Sequence, residues 1–298
     1  LDPMPRLVPV GDAAGRFVQW RDGAVHLLDD RLSEIARRDL PLADDVCVLA
    51  ASSLDRIVLD FAGGLAIAGR SDHCAWTARR CCSLPGHLLV VAVPDGQRHR
   101  LLALDPATGT SCTSRTSTPR CARIPASASD GRYGVLELAM GQDGVLAYRV
   151  DVDGMRVHLT EILAGEDPVI AGFSPSGTGL LVTPYPSDPE TVRILAWPSL
   201  KETAQLDASD VGAAYGFGLA GCWIDDELVA VYATEDSLIV TDSHFDSVER
   251  VAVPIDFSEE GEIESLTRLT SGDIAVGAWT PAGRLTLIAR IIDGKRTG

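Results

Sequence analysis

Aromatic residues are scarce: Phe, Tyr and Trp make up 5% of the 298 residues, and the hydrophobic share is 46%. A core must therefore be filled by Val, Leu, Ile and Ala. Lysine is nearly absent, with Lys201 and Lys295 set beside 24 arginines. Bases are outnumbered, 26 against 42 acids, for a formal net charge of -16. Such a surface repels phosphate backbones, so nucleic acid is not an expected partner. Residues 201–298 carry 18 acids and 7 bases, against 13 and 12 in residues 1–100 and 11 and 7 in residues 101–200. A solvated acidic surface is the simplest account of that asymmetry; a docking face for a basic partner is the sharper one.

Long apolar runs are also missing. LLVVAV (88–93) is among the longest, far short of the roughly 18 residues a membrane-spanning helix needs. No charged-then-apolar leader is present. The chain opens on Leu1 rather than Met, which leaves room for an upstream signal or anchor. Signatures of chemistry are absent too: there is no G-x-S-x-G elbow, no H-E-x-x-H and no phosphate loop. The six histidines (26, 73, 87, 99, 158, 244) are scattered. The sequence thus names no catalytic residue and implies no cofactor and no metal.

What is there is a repeat. A turn followed by an apolar strand recurs as DAAGRFVQW (12–20), SSLDRIVLDF (52–61), SASDGRYGVLEL (127–138), SPSGTGLLVTPY (174–185), IDDELVAVY (224–232) and TSGDIAVGAW (271–279). Two further strands follow each, as in HRLLALDPATGTSCTSRT (99–116) and SLIVTDSHFDSVERVAVP (237–254). Strands of Val, Leu and Ile bounded by Gly, Asp, Ser and Pro leave no room for long helices. Asp-Gly pairs at 22, 95, 130, 143, 153 and 293 add hairpin signals. The residue ending the first turn falls at 15, 55, 86, 131, 177, 226 and 272, a period in the low forties. Four strands per unit at that period make a propeller blade.

The pattern FSPSGTGLLV (173–182) resembles the inner hairpin of WD40-like propellers, and HRLLALDPATGTSC (99–112) resembles a blade of the quinoprotein type. The resemblance spans nearly the whole chain. It implies an all-β, seven-bladed β-propeller of four-stranded antiparallel blades, as a single domain over residues 1–298. No Gly-His or Trp-Asp pair marks the blades. The quinoprotein pattern's docking Trp is replaced around Ser114, so the match supports a blade and not the quinone. The third blade's first strand, before His87, is poor in apolar residues. The last blade lacks a fourth strand; PRLVPV (5–10) is expected to supply it or to form the first strand of blade 1.

Candidate sites follow. HCAWTARRCCSLPGH (73–87) holds ligand types for zinc at Cys74, Cys81, Cys82 and the flanking His73 and His87, but the spacing fits no finger. A strand over 74–80 would hold Cys74 and Cys81 roughly 20 Å apart. Cys112 and Cys121 flank a TSTP turn and can pair if their strands form a local hairpin. That pairing implies an oxidising compartment and leans the localisation toward extracytoplasmic; buried free thiols are the plainer account. Asp29, Asp105, Asp151 and Asp242 each end a third strand, where a carboxylate accepts turn N–H groups. DVDG (151–154) lacks the later ligands of a calcium loop.

Trp20, Phe61, Tyr185, Tyr232 and Trp279 all fall at the end of a second strand, next to loop residues Arg21, Asp22, Asp44, Asp45, Arg80 and His87. Packing between blades is one role for such rings. A binding surface at the channel mouth is the other, with Trp20, Arg21, Phe61, Tyr185, Tyr232 and Trp279 as its residues. Trp223 lies on a different strand and reads as core. DFSEEGEIE (256–264) has five carboxylates and no base, and is a solvated loop or a dock for a basic partner. The leading functional expectation is a non-enzymatic scaffold that binds a protein or peptide partner through one face. The alternatives are a propeller hydrolase, lactonase or lyase whose groups converge at the channel mouth, and the sensor part of a longer membrane protein.

Overall fold

Short aliphatic runs closed by turn residues become strands because such side chains pack on a pleated surface and the turns interrupt it every few residues. The computed structural model describes residues 7–10, 15–21, 23–40, 46–53, 56–61, 64–68, 80–84, 88–95, 98–104, 111–115, 121–127, 133–139, 144–153, 156–185, 188, 190–234, 237–253, 255, 261–281 and 283–291. Contacts divide the chain into two compact units, Leu1–Pro168 and Val169–Gly298.

The first unit begins with a sheet of β1 (Val8–Pro9), β2 (Phe17–Arg21), β3 (Ala24–Leu28) and β4 (Glu34–Asp39). A three-stranded sheet follows: β5 (Val46–Ser53), β6 (Arg56–Phe61) and β7 (Gly64–Ala68). Next come β8 (Arg80–Leu84), β9 (Leu88–Asp95), β10 (Arg98–Leu104) and β11 (Ser111–Arg115), then β12 (Cys121–Ser127), β13 (Tyr133–Ala139), β14 (Val145–Asp153) and β15 (Arg156–Ile162). The first strands of consecutive sheets lie side by side: β1 by β5, β5 by β8, β8 by β12.

The second unit has β16 (Val169–Phe173), β17 (Gly179–Thr183), β18 (Thr191–Ala196) and β19 (Lys201–Asp207) as its first sheet. The central sheet is β20 (Phe217–Trp223), β21 (Leu228–Ala233), β22 (Ser237–Asp242) and β23 (Val248–Ala252). The last is β24 (Glu262–Arg268), β25 (Ile274–Thr280) and β26 (Gly283–Ala289). Again first strands are neighbours, β16 by β20 and β20 by β24. Every sheet pairs consecutive strands antiparallel, in up-and-down order. A 3-10 turn over Ala208–Val211 is the only helical element among the described residues.

Alternation along β21 shows how the second unit is held. Val229, Val231 and Ala233 pack with Leu181, Ile194, Phe217 and Trp223 toward the first sheet. Ala230 and Tyr232 pack with Leu238, Ile263, Leu266 and Val276 toward the last. The central sheet is buried on both faces, which is why LVAVYA reads as one continuous apolar run rather than an alternation.

The expected second strands appear as β2, β6, β13, β17, β21 and β25. The weak third unit also forms its first strand: β8 pairs with β9, with Cys82 opposite Val90. The expected strand over 74–80 falls outside the described residues except for Arg80. PRLVPV takes the second of its two expected places, because Val8 pairs with Val18 and Pro9 with Phe17 at the edge of the first sheet. Among the described residues the last sheet has no fourth strand. One expectation is corrected. β11, with Cys112, pairs with β10, and β12, with Cys121, pairs with β13, so the two cysteines sit on edge strands of different sheets and not on a local hairpin. The segment between them crosses from one sheet to the next, which removes the hairpin their pairing required.

Two of the four aspartates expected to end third strands, Asp29 and Asp242, behave as turn acceptors; Asp151 instead lies inside β14, where its Oδ2 accepts the Arg149 Nε–H at 3.2 Å, and Asp105 lies outside the described residues. Asp29 Oδ1 accepts the N–H groups of Arg31 at 2.9 Å and Ser33 at 2.8 Å. Asp242 accepts the N–H groups of His244 (2.9 Å), Asp246 (3.2 Å) and Ser247 (2.7 Å), and the Ser247 hydroxyl. Burial pushes the Asp242 carboxyl up, but these donors outweigh it and hold the group at about 2. A depressed native pKa gives stability that is present above the unfolded carboxylate range and is lost as pH falls through about 2. Asp242→Ala is expected to cost about 1–2 kcal/mol at pH 7, after screening by solvent. Urea titrations at pH 7 and near pH 2 should show that difference shrinking to little or nothing at the acid end.

Candidate functional site

Second strands end, and first and third strands begin, at the same end of each sheet, so within each unit the predicted aromatic positions fall at one end of their own sheets. Their surroundings differ. Trp20 is 7% exposed and fills an apolar cluster with Val8, Val10, Val18, Val25, Leu27 and Val48. Tyr232 is 5% exposed, and its ring lies on Gly218, where a Cβ would stand 2.4 Å from Cδ1. Both rings pack between sheets. Phe61 pairs with Gly64, the register position of Arg21, Ala233 and Thr280 and one residue beyond that of Trp20, Tyr232 and Trp279. Tyr185 is half-buried two residues past β17, and its carbonyl accepts the Asp188 N–H at 2.9 Å. Trp279 is 38% exposed, opposite Glu262 on β24 and Arg284 on β26.

Arg21 is exposed, with Nη2 3.4 Å from Glu34 Oε2. The same oxygen lies 2.6 Å from Nδ1 of buried His26, whose Nε2 faces the Arg21 carbonyl at 3.2 Å. The His26 hydrogen bond, opposed by burial and aided by Arg21, holds the Glu34 carboxyl below its ordinary value. Asp22, Asp44, Asp45, His73, Cys74 and His87 lie outside the described residues, as does the acidic segment 256–260. Of the rest of that segment, Glu262 is exposed and Ile263 is buried in β24.

A residue that the strand-end pattern misses is the most exposed ring among the described residues. Tyr215 is 76% exposed in the connection from β19 to β20. Its loop is tied down on every side. Thr234 donates N–H (3.2 Å) and Oγ1–H (3.0 Å) to the Gly216 carbonyl. Arg250 Nη2 donates to the carbonyls of Val211 (3.0 Å) and Gly212 (3.2 Å), and Nη1 to Ser237 Oγ (3.0 Å). The Ala208 N–H reaches the Glu190 carbonyl at 2.8 Å, linking this loop to the one that carries Tyr185. The sequence signal was GAAYG, a lone ring between glycines in a connection between units.

The opposite end of the second unit is closed by its own polar groups. Asp226 Oδ1 accepts the Ser176 N–H at 2.7 Å and so joins the first turns of two sheets. Hydrogen bonds from Ser176 hold the Asp226 carboxyl below its usual range. Asp225 accepts the N–H groups of Glu227 and Leu228, and Asp273 that of Ile291. Buried Cys222 has its thiol pushed up to about 12 by burial, against the pull of Arg268, which leaves it a packing group rather than a nucleophile. Trp223 is core, as expected. Among the described residues no group of three His, Cys, Asp or Glu is placed to hold a metal ion, and no helix is long and apolar enough to cross a membrane.

No family model matches the chain, and no curated protein matches it in sequence. Solved structures do. The β-propeller domain of Cps50 (Swd1) from Myceliophteria thermophila superposes with a TM-score of 0.65 at 12% identity, over 98% of this chain and 97% of that one. BBS1N, solved in complex with ARL6DN, gives 0.57 at 16% identity over 98% and 92%. The Dos1 propeller gives 0.57 at 12% over 92% and 75%. The chain has a β-propeller fold.

Proposed function

We propose that this protein is a seven-bladed, non-enzymatic propeller that binds a protein or peptide partner on the end of the blades where the second strands finish. The observation that carries the reading is Tyr215, an aromatic ring 76% exposed on a loop whose backbone is fixed by Thr234 and Arg250. A ring presented on an already ordered loop loses little freedom when a partner covers it, so most of its burial becomes affinity. Trp279 and Tyr185 add apolar area at the same end of the second unit. Tyr232 packs in the core of the same unit. A propeller of the same architecture, BBS1N, was solved in complex with ARL6DN, an instance of this fold engaging a second protein.

The triple variant Tyr185→Ala, Tyr215→Ala, Trp279→Ala tests the proposal. Tyr215 is exposed and Tyr185 and Trp279 are only partly buried, so the melting temperature should fall by no more than about 5 °C and the variant should stay folded. Capture of a partner from extracts of the source cells should fall at least tenfold. Undiminished capture by a folded triple variant would refute it.

A further inference from the structure

We infer that the partner segment seated on this end of the second unit is basic, carrying arginine or lysine side chains that lie against Tyr215 and Trp279. The inference rests on the reading above and adds the chemistry of what is bound.

Two connections of the second unit at this end, β17 to β18 and β19 to β20, carry Asp188, Glu190 and Asp210, and not one Lys or Arg. Glu262 follows at the start of β24, directly opposite Trp279. Arg250 on β23 is already spent on the carbonyls of Val211 and Gly212, and Arg284 on β26 stands opposite Trp279.

The opposite end is acidic as well, with Glu227 and Asp246 exposed, but several of its carboxylates are used internally and its described Phe and Trp rings are not exposed. Asp225, Asp226 and Asp273 each accept backbone N–H groups of the turns. Asp188, Glu190, Asp210 and Glu262 are exposed, and among the described residues their carboxylates accept no such bond. Negative charge without an internal partner therefore coincides with the exposed rings. That pairing suits a cationic side chain twice over, through Coulomb attraction and through the negative face of the ring. The four exposed carboxylates outnumber Arg284, which stands opposite Trp279 on β26, so the net negative charge steers a basic segment from about a Debye length away.

The experiment uses the whole chain and a fluorescent 12-residue peptide of five arginines in a Gly-Ser background. Lysine and glutamate versions serve as comparisons. Fluorescence anisotropy is read at 20 and 300 mM salt for the parent and three variants. The first variant is Asp188→Asn, Glu190→Gln, Asp210→Asn, Glu262→Gln. The second is Tyr215→Ala, Trp279→Ala. The third, at the opposite end, is Glu227→Gln, Asp246→Asn. The inference expects saturable binding of the arginine peptide and none of the glutamate peptide. It expects affinity about tenfold weaker in each of the first two variants and unchanged in the third. Equal binding by all four proteins, or no binding by the parent, overturns it. Capture of the natural partner separates the two claims. If the ring variant loses the partner and the charge variant keeps it, the basic-segment inference fails and the binding face stands. If both variants keep it, the binding face fails as well.

Discussion

Removing residues 1–10 should lower the melting temperature by roughly 10 °C. The deleted stretch contains β1, which pairs with β2 through Val8–Val18 and Pro9–Phe17, and the Val10 N–H, which reaches the Arg16 carbonyl at 2.9 Å. Leu7, Val8 and Val10 are buried, and the two valines pack in the cluster that holds Trp20. Each buried aliphatic side chain is worth about 1.5–3 kcal/mol, and a domain of this size loses about 2 °C per kcal/mol. The deletion also bares the edge of β2, an apolar strand with free N–H and C=O groups, so the variant should aggregate on heating. Calorimetry on parent and deletion settles the point; a shift below about 3 °C would mean that PRLVPV takes no part in the sheet.

Gly218→Val should destabilise the protein by about 3 kcal/mol. A Cβ at Gly218 would stand 2.4 Å from Cδ1 of Tyr232, and the ring has no room to retreat because Leu238, Ile263 and their neighbours enclose it. Overpacking of this kind costs about 1–3 kcal/mol or more. The stronger test is non-additivity. Tyr232→Ala alone opens a cavity at about 3–5 kcal/mol, judged by the cost of other large rings cut to Ala. Adding Gly218→Val to it should then cost little, because the atom it strikes is gone. Additive losses in chemical denaturation would show that the ring and the glycine are not in contact.

The parts of the fold legible in the sequence are those set by local chemistry. GLLVT, LVAVYA and IAVGAW name their strands through apolar content and flanking turns, and Asp29 and Asp242 name their turns. β8 was obscured because RCCSL has little strand character of its own and is fixed by pairing with β9, a partner the local pattern does not reveal. The pairing of Cys112 with Cys121 failed for the same kind of reason: nearness in sequence does not say which sheet a strand joins. The aromatic positions show the limit most clearly. Trp20, Tyr232 and Trp279 share one register position, yet two are buried and one is 38% exposed. Trp279 sits with Ala275 and Gly277 on the face turned away from the central sheet, since Ile274 and Val276 hold the other. Register is local, whereas the covering of a face depends on another sheet. Tyr215 escaped notice because it belongs to no strand.

The central claim is that one end of the blades is the binding face. Site-specific photo-crosslinking tests it most directly. Benzoylphenylalanine placed at 215 and 279 samples that end, and at 227 and 246 it samples the other. Irradiation in extracts of the source cells should give one discrete adduct from 215 and 279, and none from 227 or 246. Adducts from 227 and 246 alone, or from neither pair, would contradict the account.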